Sequence, residues 1–176
     1  VYAGVTVTPS EAAAVAALPL DREGVMASLG VPPTTSDPAA FHERLMLRPA
    51  FNVSGFASGY TGEGQKTIIF REALAKVDIR LVGGQDPAAV LEAVRRFAAD
   101  RGYGNIEIRG TKSTPASRTS LDHPFVPVVK RAVGEGFGRE PLVVPSRGGT
   151  TPDWVFTRLL GLPSIVVPLA PYDENN

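Results

Sequence analysis

Between Glu72 and Asp100 the hydrophobic period switches from two to about 3.6 residues across one glycine pair. In EALAKVDIRLV, the apolar side chains Ala75, Val77, Ile79 and Leu81 alternate with Lys76, Asp78 and Arg80. That alternation is a strand with one apolar face, so Arg80 points away from the core. GGQDPAAVLEAVRRFAAD follows, with Asp86 as an N-cap, Pro87 at the first helical position, and Val90, Leu91, Val94, Phe97 and Ala98 on one face. GNIEIRGTK alternates again, with Ile106 and Ile108 inward. Strand, helix and strand predict a right-handed βαβ crossover with parallel neighbouring strands, and the stretch 50–57 adds a further strand.

Start signals of the same kind organise the first 49 residues into three short helices. Thr8 caps one with Pro9 at its start, Asp21 caps a second that stops at Gly30, and Ser36 caps a third near Pro38, with Phe41, Leu45 and Met46 as its apolar stripe. Past the polar stretch STPASRTS a new helix is expected from Asp122, with Phe125, Val129, Ala132, Val133 and Phe137 in register. LVVP and SIVVPLA read as buried strands flanking a helix TPDWVFTRLLG, capped by Thr151 and stopped by Gly161. Buried apolar strands alternating with helices imply a parallel sheet covered on both faces. The fold class is therefore α/β: an α+β sandwich with a βαβ unit, then the tail of a parallel-sheet domain, with a boundary between 114 and 115.

Composition excludes several roles. Lys and Arg total 18 against 18 Asp and Glu, the pI is near 6.9, and no segment gathers the basic surplus that would follow phosphates, so a nucleic-acid partner is not expected. No apolar run approaches the roughly 20 residues of a membrane span, and no membrane partner is expected. With no cysteine there is neither a disulfide framework nor a thiolate metal site. The first methionine is Met26, and the chain is expected to begin inside a longer protein.

Few residues carry chemistry on their own. GYTGEGQKT approximates a phosphate loop, but Gln65 adds a residue before Lys66 and a strand follows where a helix is needed, so it reads as a glycine-rich hairpin connection. SRGGTTPDW turns a buried strand into a helix, and the amides of Gly149, Thr150 and Thr151 could face a carboxylate there, but on these residues alone an ordinary glycine turn with Thr151 as cap is favoured. Arg80 alone is a surface charge or a carboxylate clamp. His42 and His123 stand apart with no metal-ligand spacing, which favours surface or capping roles, and no G-x-S-x-G nucleophile motif occurs.

Taken together, RPAFNVSGFASGYTGEGQKTIIF, AKVDIRLVGGQDPAAVLEAV, LDHPFVPVVKRAV and GGTTPDWVFTRLLGLPSIVVPLA resemble the co-catalytic zinc metallopeptidases of the carnosinase, aminoacylase and glutamate carboxypeptidase type. The helical stretch before Ala50 is similar to the insert of the dipeptidase branch. The resemblance implies a lid domain that dimerises, here residues 1–114 with the helical insert 1–49, and a return into the catalytic domain over 115–176. It further implies that Arg80 clamps the substrate's terminal carboxylate, that Thr67 matches the threonine of a K-T-V-I-P segment, and that Gly148, Gly149 and Thr150 bind substrate beside two zinc ions. Phe70 stands where proline is usual, and Thr150 where serine is common. The family's His-x-Asp motif, bridging aspartate, glutamate pair and last histidine, which follows a segment like PYDENN, lie outside this sequence. The expectation is then an internal fragment of a cytoplasmic, homodimeric enzyme cleaving small peptides or N-acyl amino acids, inactive alone and with no metal ligand of its own. Two other classes stay open at this point: a non-catalytic assembly module and a small-anion-binding domain.

Overall fold

The structure is a computed structural model describing residue 2 and residues 4–168. PYDENN and the last two residues of SIVVPLA lie outside the described residues. Helices α1 (Pro9–Ala16), α2 (Arg22–Leu29) and α3 (Pro38–Leu47) precede strands β1 (Ala50–Ser58) and β2 (Ala73–Arg80). Helices α4 (Pro87–Asp100) and α5 (Phe125–Phe137) follow, then a π-helical turn over Val155–Leu159. This is the mixed α and β class expected from the sequence, built around a small antiparallel sheet.

Local chemistry accounts for the helix starts. The Thr8 hydroxyl accepts from the Glu11 amide while the Glu11 carboxylate accepts from the Thr8 amide, a reciprocal capping box. Asp21 accepts from the Gly24 amide, and Gly30, at a φ of 69°, closes α2 in the left-handed conformation. Asp86 accepts from the Ala89 amide with Pro87 at the first turn of α4. For α3 the cap is Asp37, one residue beyond the expected Ser36, because an aspartate directly before Pro38 reaches the Ala39 amide at 3.0 Å. Helix α5 starts at Phe125, three residues past the expected Asp122, with Pro124 at its N-cap and no side-chain cap; the His123 ring just ahead of it accepts from the Phe125 amide at 3.1 Å.

The core is small and lies mostly between α1 and α3, where Val15, Leu18 and Leu47 are buried. His42 is buried with them, not at the surface as expected; its Nε2 lies 2.9 Å from the Pro19 carbonyl, an acceptor only, so Nε2 carries the ring proton. The buried face of α3 thus runs through His42 and Leu47, and Leu45 of the expected stripe is exposed. Glu11 is also buried, its carboxylate 3.0 Å from Arg118, whose guanidinium also donates to the Thr6 carbonyl. This pair fastens α1 to the stretch that follows α4.

Strands β1 and β2 pair antiparallel from Ala50 opposite Arg80 to Ser58 opposite Ala73, with a bulge at Ser54. Facing residues share a side, so Phe51, Val53, Phe56, Val77 and Ile79 form one apolar face, while Asn52, Asp78, Lys76 and Arg80 share the other. The expected βαβ crossover does not form. β2 pairs with β1, and the 104–112 stretch has no ladder partner among the described residues; instead it lies along α4, where Arg95 donates to the Ile108 carbonyl at 3.2 and 3.4 Å. Among the described residues LVVP and SIVVP likewise form no ladder, and Leu142, Val144 and Val166 are exposed, so neither is there the buried strand expected. A strand is defined by its neighbour, and a side-chain pattern cannot supply one.

Much apolar surface is therefore open. The accessible surface is 13334 Å², against about 8,200 Å² for a compact monomer of this mass. On the sheet's apolar face Phe56 is 72% and Val53 60% exposed. No helix among the described residues is long and apolar enough to cross a membrane.

Candidate functional site

Arg80 ends β2 on the polar face of the sheet, two residues from Asp78, so both side chains project the same way. Its Nε donates to the Asp78 carboxylate at 2.9 Å, which orients the guanidinium and leaves its outer nitrogens for another partner. One of these reaches the Thr150 hydroxyl at 3.4 Å, joining positions 70 residues apart in sequence. The tertiary structure thus brings together Arg80 and the glycine-rich turn that the sequence marked separately.

Gly148 and Gly149 form the bend before Thr150, and neither has a positive φ. A Cβ built on either meets nothing within 4 Å, so the backbone does not need glycine for its path or its packing. What the missing side chains leave is bare, approachable amide backbone beside a guanidinium. Guanidinium nitrogens, a hydroxyl and exposed amides are all donors suited to a carboxylate.

The expected helix-end anion site is not there. The helical segment after the turn covers only 153–159, most of it a π-helical turn over Val155–Leu159 with no side-chain cap, too short for a developed dipole. The Thr151 hydroxyl caps no amide; it donates to the Asp153 carboxylate. Gly161, at a φ of 65°, does end the segment as expected. The donors at the turn are the side chains and the open backbone, not a helix terminus.

Thr67 is not brought to this pair. It lies exposed on the connection between β1 and β2 and makes no hydrogen bond among the described residues. That connection, in which the Lys66 ammonium sits 4.6 Å above the Tyr60 ring, is the hairpin link read from the sequence and not a phosphate loop.

Sequence reasoning passed over Asp78 and Asp153. The first was legible as a partner at i−2 on one strand face. Asp153 is held by the Ser164 hydroxyl at 2.6 Å and by Thr151, and these donors lower its pKa from the ordinary carboxylate value, Ser164 contributing most. A depressed folded pKa means that the carboxylate stabilises the turn above its unfolded pKa and that this contribution is lost as pH falls through the folded value. The Thr151 amide resonance is therefore expected to hold steady from neutral pH down to about 4 and to move only below it, whereas Asp153→Asn should abolish that acid transition.

Among the described residues no three His, Asp or Glu side chains converge on a point that could hold a metal ion. His42 and His123 are each engaged with backbone groups. The donor set of a two-zinc centre does not fit the side chains described here.

Residues 11–105 match the family of peptidase dimerisation domains of M20 peptidases. Over 92% of this chain, the fold aligns with a metallo-carboxypeptidase of the M20 family from Sulfolobus solfataricus at 33% identity and a TM-score of 0.79. Human carnosine dipeptidase 1 aligns over 90% of the chain at 24% identity and a TM-score of 0.60. A di-peptidase of Saccharomyces cerevisiae aligns over the same share at 18% identity and 0.63. Both of the latter are likenesses of fold. The chain spans 37% of the Sulfolobus protein and 35% of each of the other two. On the match over residues 11–105, which is more than half its length, this chain belongs to the M20 peptidase dimerisation domain family.

Proposed function

We propose that this chain is the substrate-holding and assembly part of a zinc-dependent M20 dipeptidase or carboxypeptidase, and that Arg80 and Thr150 grip the free carboxylate of a small peptide or N-acyl amino acid. The observation that carries this is the contact between Arg80 and Thr150, because it places a fixed cation, a hydroxyl and bare amides at one spot. Asp78 holds the guanidinium by its Nε and one outer nitrogen rests against the Thr150 hydroxyl, so the remaining guanidinium N–H groups are left for the ligand. Gly148 and Gly149 let the carboxylate reach the backbone, and Thr67 adds a hydroxyl from the hairpin connection of a second copy or of a closed form. Residues 1–114, including the helical insert 1–49, act as lid, and 115–176 return to the catalytic domain. The zinc pair, held by residues outside this sequence, would polarise the scissile carbonyl; the residues here bind and orient. A second copy would cover the open apolar face of the sheet, and a cytoplasmic location belongs to the same reading.

Titration of the chain with a dipeptide and with its C-terminal amide tests this. Nitrogen-15 spectra are expected to show the Gly148, Gly149 and Thr150 amides and the Arg80 side chain responding to the free acid alone. Equal responses to acid and amide would overturn the carboxylate role. The chain by itself is expected to hydrolyse neither.

A further inference from the structure

Residues 146–149 make no hydrogen bond among the described residues, and a Cβ at Gly148 or Gly149 meets open space, so the stretch leading into Thr150 has no restraint of its own. It is tied down immediately afterwards. One Asp153 carboxylate oxygen accepts from the Ser164 hydroxyl at 2.6 Å, and the other accepts from Thr151, the residue next to Thr150. The Asp153 carbonyl accepts from the Thr157 hydroxyl at 3.2 Å, and Thr157 lies 2.8 Å from the Ser117 hydroxyl. Ser164 is in turn fixed by Thr119, whose hydroxyl donates to the Ser164 carbonyl at 2.8 Å and accepts from its amide at 2.9 Å.

Each Asp153 carboxylate oxygen is therefore occupied by a hydroxyl donor. A carboxylate with both oxygens occupied by donors is held tightly, since hydrogen bonds to a charged acceptor are shorter and stronger than neutral ones. It connects the loose glycine turn to residues 117–119 and to Ser164.

We propose that Asp153 is a positioning residue: by holding Thr151 against Ser164 it aims the Thr150 hydroxyl at Arg80 and so sets the preference of the site for a free carboxylate over its neutral amide. This rests on the reading of Arg80 and Thr150 as a carboxylate grip. Asp153 touches no ligand and acts through the turn. Its loss frees the turn, and Arg80 is left to bind the carboxylate without the hydroxyl.

The test compares the affinity of the chain for a dipeptide and for its C-terminal amide. Asp153→Asn, nearly isosteric, and Ser164→Ala are each expected to weaken the free acid by about tenfold while leaving the amide unchanged. Ser164→Thr, which keeps the hydroxyl, should restore acid binding. In a Thr150→Ala background Asp153→Asn should add less than about twofold, because both changes remove the same contact. A full additional loss in that background, or equal losses for acid and amide, marks a merely structural role and overturns the proposal. So does an Asp153→Asn chain that binds like the wild type. If that variant fails to fold, the Ser164→Ala and Ser164→Thr pair decides by the same criteria. Wild-type chain that binds acid and amide equally overturns the carboxylate grip itself, and is told apart because the failure precedes any substitution.

Discussion

Replacing Arg80 with alanine is expected to weaken binding of a free dipeptide by between about tenfold and a hundredfold, measured by titration of the folded chain. The size follows from the chemistry: a hydrogen bond to an ionised partner contributes about 1.5–3 kcal/mol, and every ~1.4 kcal/mol is tenfold in affinity. Arg80 is half exposed, so its charge acts partly through water, and the lower end of that range belongs to high salt. Arg80→Lys keeps the charge but loses the planar fork and the Nε bond to Asp78, and should recover only part of the affinity. Because Arg80 lies on the sheet's polar face and contributes nothing to the core, its removal should leave helix content and melting unchanged. An Arg80→Ala chain that discriminates acid from amide as well as the wild type would remove this residue from the site.

Arg118→Ala is expected to destabilise the chain by about 3 kcal/mol, read from urea unfolding followed by circular dichroism. Glu11 is 2% exposed and its carboxylate pairs with Arg118 at 3.0 Å. Deleting the arginine strands that carboxylate away from water with only the Thr8 amide and hydroxyl as partners. It also releases the Thr6 carbonyl and opens a void beside Gly83, where a Cβ would lie 2.8 Å from the arginine Nε. Against a total that rarely exceeds 15 kcal/mol in any domain, and with a core as small as this one, that loss should unfold the α1–α3 layer first. Replacing both partners with neutral residues, Glu11→Gln with Arg118→Met, should cost less than Arg118→Ala alone. A loss below about 1 kcal/mol for the single variant would mean that water already reaches Glu11.

The helix starts were legible because cap chemistry is local. Thr8 with Glu11, Asp21 with Gly24 and Asp86 with Ala89 are bonds between residues three apart, which the sequence displays directly. The alternation over 73–80 was legible for the same reason, and so were the two segments holding Arg80 and Thr150. Their meeting was not, nor was the Asp78 bond that orients the arginine or the hydroxyl cluster around Asp153. The stretches at 104–112, 142–145 and 164–168 carry strand-like patterns, yet pairing depends on a neighbour that no pattern names, and Ile108 gives its carbonyl to Arg95 instead.

By itself, then, the sequence determined the starts of α1, α2 and α4, the apolar face of β2, that no thiolate is present, and that the chain resembles a peptidase lid. Each of these follows from side chains within one or two turns of each other. Only the tertiary structure decided that the sheet is an antiparallel pair with its apolar face open, that His42 is buried, and that Glu11 is paired with Arg118. It alone set the Thr150 hydroxyl before Arg80, because contacts spanning 70 to 112 residues form only where packing has already closed the chain upon itself.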